Sequence, residues 1–365
     1  MPSVNLGRLK MNPRESMVWD SSETTNFHWI IVGGSGAGKT YQIRRITDVL
    51  KGQIKCIHIF DPHGDIFTDP DYTSSLEFSE VSDYGVRPLT INPDQKYGGI
   101  RRKINSFVGM INRYSKRKLT DEQESAMRYL LIDFFESRGC IMNDPNTWES
   151  QNFEFEDYIE FARAKLVTFL SNTDVDIEEQ IKYGSFSVLK SVYDKLQTLR
   201  FTGVFKPGGM PFQEDKGIRH YNMSALTVEE QGYLVELTLE QIFIDSVKNG
   251  FKTDVDVLVI IDEAQRFLDK DDMDHIVSVI SREGRKFGIG LMLATQNCSN
   301  FPEDILINSA TKMILGIDEA YVTTISKAMA IDPNRVRFTQ PRKGAMVQIK
   351  THRISKDSRF VDIVF

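Results

Sequence analysis

The clearest chemical signal in the sequence is GGSGAGKT, Gly33 to Thr40, in which glycines precede a lysine and a hydroxyl. The segment fits the phosphate-binding loop pattern G-x-x-x-x-G-K-[ST], whose glycines let backbone N–H groups turn toward phosphates. Lys39 would reach the β- and γ-phosphates of a nucleotide, and the Thr40 hydroxyl would bind Mg²⁺. The predicted nucleotide contacts are Gly34, Ser35, Gly36, Ala37, Gly38, Lys39, Thr40 and Tyr41.

Two adjacent carboxylates follow an apolar run in DVLVIIDEAQRF, residues 256–267. Carboxylates at the end of a buried strand are costly unless a cation or a reacting water requires them. We predict that Asp262 holds the Mg²⁺ shell and that Glu263 polarises the attacking water as a general base. A glutamate directly after the aspartate favours a hydrolysing ATPase over a kinase or a GTPase switch. The alternative is an ordinary helix start, where the helix dipole favours acidic residues.

Polar residues also end the apolar run LMLATQN, residues 291–297. Ligands of doubly wound sheets lie at the carboxyl ends of the strands, so Gln296 should point toward the γ-phosphate and report its presence. The alternative is a polar loop residue without a role. In FDPHGDI, residues 60–66, Asp61 and His63 could contact metal, phosphate or substrate, but the segment equally suits a turn capped by its aspartate.

Alternating strand and helix signals surround these motifs and indicate a mainly parallel α/β sheet flanked by helices. The run HWIIV before the glycine loop predicts a strand, and a helix should follow the loop to about Leu50. The runs VLVII and LML suit strands that are buried on both faces. The other predicted strands are CIHIF, VRPLTIN (residues 86–92), IRHYNM, TKMILGI and AMVQIK, with a long helix over residues 227–249.

Helical periodicity replaces this alternation between about residues 98 and 205. Apolar residues from Met127 to Phe135 follow the spacing of a helix with one buried face, and residues 155–170 and 188–199 do much the same. We predict a polar, irregular N-terminal extension (1–26), an α/β core (27–97 and 206–350), an inserted all-helical subdomain (98–205) and a C-terminal tail (351–365). The tail could pair as a strand of its own domain or brace a neighbouring subunit.

The basic residues of the helical stretch fall into two groups, 101–103 and 113–118. They could form a solvated helix face, or a surface that follows nucleic-acid phosphates toward a central channel. Because the net charge of the chain is −6, any nucleic-acid contact must be local.

Composition indicates a soluble globular protein with a sizeable core. The three cysteines are scattered, which excludes a disulfide framework and fits a reducing cytoplasm. The run VLVII is too short to span a bilayer, and no signal peptide stands at the N-terminus. We therefore expect a cytoplasmic protein that only a partner could bring to a membrane.

Four segments in this order, HWIIVGGSGAGKT, IFDPHGD, VIIDEAQRF and SREGRKFGIGLMLATQ, resemble the HerA/FtsK superfamily of ring-forming ATPases. The likeness covers the chain from about Phe27 onward and is strongest to HerA-type motors and to the ATPases of type IV secretion and conjugation. It implies a RecA-like P-loop core of the ASCE class that assembles as a hexamer. The hexamer would use ATP and Mg²⁺ to move double-stranded DNA through its pore. HerA proteins also work beside a nuclease. HerA proteins usually carry an N-terminal β-barrel, and FtsK proteins carry membrane segments, so we expect a more compact motor here.

Three cations, Arg282, Arg285 and Lys286, stand directly before the buried run IGLMLAT. Cations at the edge of a sheet make sense if that edge faces the ATP of a neighbouring subunit, where an arginine stabilises the charge of phosphoryl transfer. The resemblance also implies that an arginine of this region acts in trans. Arg285 is the first candidate, Arg282 the second, and Lys286 is expected to meet solvent or DNA.

These motifs leave three functions open. The first is a hexameric, ATP-dependent DNA translocase of the helicase type, which the phosphate loop, the acidic pair and the arginines favour. The second is a secretion or conjugation motor that moves proteins or pilus subunits without stimulation by DNA. The third is an ATP-dependent scaffold that activates a nuclease partner, although an intact Glu263 argues against a module that only binds nucleotide.

Overall fold

The computed structural model describes residues 1–148, 153–171, 177–270, 272, 274–337, 339–352 and 359–365. These residues divide into two compact units. The sheet unit comprises residues 1–77, 212–224 and 245–365, and the helical unit comprises residues 78–211 and 225–244. Parts of the predicted insertion and tail, residues 149–152, 172–176 and 353–358, lie outside the described residues.

An eleven-stranded sheet forms the centre of the sheet unit, in the order β2-β1-β11-β10-β9-β3-β8-β7-β4-β6-β5. From β9 to β5 all neighbouring strands are parallel, whereas the pairs from β2 to β9 are antiparallel. The predicted mainly parallel α/β fold is therefore confirmed. The strands are β1 (Ser3–Leu9), β2 (Ser16–Asp20), β3 (Trp29–Val32), β4 (Cys56–Asp61), β5 (Thr73–Glu77), β6 (Ile218–Asn222), β7 (Val257–Ile261), β8 (Ile289–Thr295), β9 (Thr311–Ile314), β10 (Gly344–Ile349) and β11 (Val361–Val364).

Helices separate most of these strands, as parallel pairing requires. Every residue of β3 and β8 is buried, which explains their unbroken apolar sequence. None of the described helices is both long and apolar enough to cross a membrane. The helices are α1 (Lys39–Leu50), α2 (Ile100–Tyr114), α3 (Asp121–Ser137), α4 (Phe155–Ser171), α5 (Ile177–Tyr183), α6 (Phe186–Arg200), α7 (Val228–Lys248), α8 (Ile276–Glu283), α9 (Glu303–Asn308), α10 (Glu319–Met329) and α11 (Pro333–Arg337).

The helical unit contains α2 to α6 and most of α7, packed around buried aromatic side chains such as Phe134 and Tyr158. Helix α3 begins with a capping box, in which Thr120 and Gln123 exchange side-chain to backbone hydrogen bonds. The unit starts at residue 78 rather than 98, and it includes α7 up to Ile244.

Two predictions about the strands are wrong, and one strand was not predicted. The first 26 residues are not irregular, because β1 and β2 extend the sheet and bury Leu6 and Trp19. Residues 86–92 form no strand; their apolar side chains are buried in the helical unit, and Val86 donates a single backbone bond to Val204. The strand missing from the prediction is β5, a polar edge strand. At the C-terminal end, β11 pairs with β1 and β10 of its own unit.

The two basic groups of the helical unit are partly neutralised by glutamates of α7. Lys103 Nζ lies 2.6 Å from Glu240 Oε2, and the Arg113 guanidinium pairs with the buried carboxylate of Glu236. The cations that remain exposed are Arg101, Arg102, Lys116, Arg117 and Lys118.

Candidate nucleotide-binding site

Three of the predicted motifs lie at the carboxyl ends of three adjacent parallel strands. Val32 at the end of β3 is in register with Thr295 at the end of β8, and β8 pairs with β7 on its other side. The glycine loop, Gln296 and the acidic pair follow these three strands directly. Sheet topology thus brings together three motifs that are far apart in the sequence.

The glycine loop has the backbone shape that its sequence predicts. Gly36 and Gly38 adopt φ values of +71° and +107°, which other residues rarely do, and Gly38 directly precedes α1. At the base of the loop, Gly33 N donates to Thr295 O (3.1 Å) and Gly34 N donates to Gly316 O (2.8 Å). The loop therefore stands at a helix N-terminus, where the helix dipole and free N–H groups favour an anion.

Lys39 is buried beneath this loop with its ammonium group turned toward the acidic pair. Its Nζ donates to Gly33 O (3.0 Å) and Gly34 O (3.4 Å) and lies 3.9 Å from Glu263 Oε1. The lysine is thus held where the loop and the carboxylate meet. Of the other predicted contacts, Ser35, Gly36 and Tyr41 are exposed, and Thr40 is half-buried.

Glu263 is held by side chains from two other positions of the site. Gln296 Nε2 donates to Oε1 (3.0 Å), and Gln265 Nε2 donates to Oε2. Burial alone would raise the pKa of Glu263, but these bonds and the charge of Lys39 outweigh burial and lower it. The backbone of Glu263 is left-handed (φ 49°, ψ 40°), a strained conformation that is typical of functional sites. The carboxylate is therefore fixed and ionised beside the lysine.

Asp262 binds its proton more tightly than its neighbour Glu263, because the pKa of Asp262 is raised whereas that of Glu263 is lowered. Burial first, and then the nearby carboxylates of Glu263 and Asp61, raise its pKa to about 6, although the Glu263 N–H donates to Oδ1 (2.9 Å). A buried carboxylate beside other carboxylates is relieved by a bound cation. Thr40 and Asp262 therefore fit the few-ligand binding that Mg²⁺ uses together with phosphates. No cluster of three or more His, Cys, Asp or Glu in the described part of the chain could hold a metal by itself.

Gln265 is a site residue that belongs to none of the motifs recognised in the sequence. Besides its bond to Glu263, its Oε1 accepts a hydrogen bond of 2.6 Å from Thr295 Oγ1 at the end of β8. It therefore connects the segment after β7 to the end of β8. The only sequence signal was its place two residues after Glu263, which a helix start would also allow.

Asp61 and His63 are engaged mainly with their own surroundings. The Asp61 carboxylate accepts N–H groups of the following loop, including that of Gly64 (2.8 Å), and lies 3.1 Å from His220 Nε2. Burial would raise the pKa of Asp61, but the bond with His220 and the backbone bonds lower it. His63 Nε2 lies 2.9 Å from Arg266 Nη2. Asp61 thus shapes the loop after β4, as the turn interpretation predicts.

The arginines before β8 lie at the amino-terminal ends of the parallel strands, whereas the glycine loop lies at their carboxyl ends. Arg282 Nη1 pairs with Asp304 Oδ2 at 2.6 Å, and Lys286 pairs with Glu283. Arg285 is exposed, with its Nη2 3.4 Å from His352 Nε2. Burial, and next the charge of Arg285, lower the pKa of His28 to about 4. The structure therefore does not bring Arg282 or Arg285 to the glycine loop of their own chain.

Comparison with known proteins gives one family for this chain. Residues 4–284 match the family described as "Helicase HerA, central domain". The DNA double-strand break repair helicase HerA of Sulfurisphaera tokodaii is 24% identical over 331 residues, and that of Pyrococcus furiosus is 24% identical over 361 residues. These alignments cover 84% and 90% of this chain, which spans 59% and 64% of the two relatives.

The fold has solved counterparts as well. The structure of VirB4 from Thermoanaerobacter pseudethanolicus superposes with a TM-score of 0.73 at 15% sequence identity. The superposition covers 100% of this chain and 96% of that chain. At this level of identity, the likeness concerns the fold, a RecA-like P-loop core.

Proposed function

The chain belongs to the HerA family, in the part that forms the central domain of the helicase, and we propose that it is an ATP-hydrolysing motor that moves double-stranded DNA. The observation that carries the proposal is the contact between Lys39 of the glycine loop and a fixed, ionised Glu263 that Gln296 also binds. A loop that only bound nucleotide would not need an ionised carboxylate beside its lysine.

Each residue of the site then has a defined task. Lys39 and the loop N–H groups hold the phosphates, and Glu263 orients and deprotonates the attacking water. Gln296 connects the Glu263 carboxylate to the end of β8. Thr40 and Asp262 would hold Mg²⁺, which neutralises charge on the phosphate oxygens. Asp61 and His63 support the neighbouring loop.

The motor is proposed to act as a ring, with six subunits as the expected number. Arg285 is the residue proposed to complete the site of the next subunit. The exposed cations Lys116, Arg117 and Lys118 are proposed to contact DNA phosphates, because three adjacent charges can act locally on a chain of negative net charge. In this proposal the sheet unit carries out the nucleotide chemistry, and the helical unit contacts DNA.

The proposal is tested by mass measurement of the purified protein with and without ATP and duplex DNA, with ATPase rates taken on the same samples. We expect a ring whose ATP hydrolysis rises with DNA, and no hydrolysis from Lys39→Ala. If the rate of ATP hydrolysis does not change with DNA and the ring retains no DNA, the proposed DNA motor is wrong and a secretion-type motor is favoured. Full activation of a nuclease by non-hydrolysable ATP would favour the scaffold.

Replacing Gln265 by alanine should lower the ATPase kcat about 10-fold, while the affinity for ATP stays near that of the wild type. The reason is that Gln265 donates one of the two bonds that orient Glu263, and a lost hydrogen bond to a charged group costs about 1.5–3 kcal/mol. Steady-state kinetics and binding of a fluorescent nucleotide measure the two quantities. Equal kcat values for the variant and the wild type would show that Gln296 alone fixes the carboxylate.

A further inference from the structure

The turn before β10 brings an arginine onto the outer side of the glycine loop. We propose that Arg342 is a positioning residue of the nucleotide site, which holds the loop in its phosphate-binding shape and adds positive charge to it. The ligand class is a nucleoside di- or triphosphate. This inference rests on the proposed function, because it assumes that the loop binds nucleotide.

Two kinds of contact join Arg342 to the loop. Its side-chain Nε donates to Gly36 O (3.0 Å), and its backbone N donates to Ala37 O (3.3 Å). The rest of the Arg342 side chain also lies close to the loop, since a Cβ built on Gly36 would be 3.8 Å from Nη2 of Arg342 and one built on Gly38 would be 3.9 Å from its Cγ. Arg342 therefore binds carbonyl groups of the loop and occupies none of the loop N–H groups that could bind phosphate.

The turn itself is anchored at a second point. The ring of Pro341 packs so closely on Gly316 that a Cβ there would have no room. Gly316 O in turn accepts the N–H of Gly34 at the start of the loop (2.8 Å). The turn thus contacts the glycine loop directly through Arg342. It also supports the first residues of the loop indirectly, through Gly316. A loop held from both sides loses less conformational freedom when it binds a ligand.

The charge and the backbone conformation of Arg342 also indicate a role in the nucleotide site. It is exposed, and among the described residues no carboxylate forms an ion pair with it. Its φ of +63° is unfavourable for an arginine, in a place where glycine or asparagine would be easier. An arginine kept in a strained conformation against a phosphate loop, with its charge uncompensated, suits a site that receives an anion.

The experiment compares Arg342→Gly with the wild-type chain. Glycine relieves the strained φ and keeps the backbone bond to Ala37, so the Tm of the nucleotide-free protein should not fall. The dissociation constants for ATP and ADP should both rise about 10-fold, which is the loss of one charge-assisted bond. Without nucleotide, amide hydrogen exchange of Ala37, whose N–H donates to Gly34 O (3.2 Å), should also become faster, since the loop is less ordered.

Two controls and a rescue make the test specific. Lys343→Ala removes the neighbouring exposed charge, and Ala330→Gly relieves another left-handed residue (φ 55°) away from the loop; neither should change nucleotide affinity. Guanidinium at concentrations far below denaturation should restore part of the affinity of Arg342→Gly, whereas equal NaCl should not. Arg342→Lys, which keeps the charge without the planar fork, should lie between glycine and wild type.

Each outcome has a clear meaning. If Arg342→Gly has wild-type affinity and wild-type exchange of the Ala37 amide, Arg342 does not position the loop and the inference is wrong. If affinity falls but exchange stays the same and guanidinium does not restore binding, the positioning role is also wrong. If the wild-type chain itself binds no nucleotide, the proposed function fails, and this inference fails with it.

Discussion

Replacing Glu263 by glutamine should leave ATP binding nearly intact and slow ATP hydrolysis by about 10²–10⁴-fold, the usual contribution of a general base. Glutamine has almost the same shape, and its carbonyl oxygen can still accept a hydrogen bond from Gln296. It cannot accept a proton from water. The chemical step should therefore be lost while the loop and Lys39 still hold the phosphates.

The surroundings of Glu263 also predict the direction of the change in binding. Lys39 Nζ lies 3.9 Å from the Glu263 carboxylate, and this attraction competes with the phosphates for the lysine. The neutral glutamine removes that competition, so ATP should bind as tightly as in the wild type or more tightly. Complexes with ATP should then live longer, and an assembly that depends on ATP should be easier to isolate.

Single-turnover hydrolysis and equilibrium nucleotide binding, measured on the same preparation, separate the two effects. Glu15→Gln, which changes an exposed carboxylate in the loop between β1 and β2, is the matched control and should behave as the wild type. A Glu263→Gln chain that hydrolyses ATP at the normal rate would show that another group activates the water.

The glycine loop is predictable from sequence because its shape depends on its own residues. Gly36 and Gly38 provide the positive φ values, and the flanking strand and helix are both strongly periodic. The acidic pair and Gln296 are predictable for a related reason, since each directly follows an apolar strand of a parallel sheet. Such strands end at one edge of the sheet, so the sequence predicts that their next residues meet.

Edge strands and tertiary contacts are less accessible to sequence reasoning. The strand β5, TSSLE, is polar because it lies at the edge of the sheet with alternate residues buried, and the pairing of β1 with β2 shifts register between Asn5 and Gly7. Conversely, residues 86–92 are apolar enough for a strand, yet Pro88 lacks an N–H and the segment buries its side chains among helices. The apolar content of a segment thus predicts that the segment is buried, but it does not predict which element the segment packs against.

The contacts of Gln265 and Arg342 belong to the same class. Arg342 lies 306 residues after Gly36, and nothing in the sequence of its turn, PRKG (residues 341–344), indicates that the turn reaches the glycine loop. Only the position of β10 in the sheet and the packing of Pro341 on Gly316 decide it. Such residues support the site from the side, and they carry no motif that could reveal them.

Arg285→Ala should retain ATP binding but lose hydrolysis by about 10³–10⁵-fold, as expected for an arginine that stabilises the transferring phosphate. Within one chain this arginine cannot act on the glycine loop. Arg285 precedes β8 while the loop lies beyond its far end, and seven residues of strand span about 23 Å. A strong effect on hydrolysis would therefore require a neighbouring subunit. Arg282→Ala should lose far less activity, because Arg282 already pairs with Asp304.

Mixing two inactive chains tests whether Arg285 acts across a subunit boundary. Lys39→Ala chains bind no nucleotide but supply Arg285, and Arg285→Ala chains bind nucleotide but lack the arginine. In rings formed from equal amounts, about a quarter of the head-to-tail interfaces should contain one complete site, so hydrolysis should return in part. A mixture of Arg285→Ala with the double variant Lys39→Ala/Arg285→Ala contains no complete site and should stay inactive. If rings of the first mixture form but hydrolyse no ATP, the arginine does not act in trans, and the ring would need another residue to complete its sites.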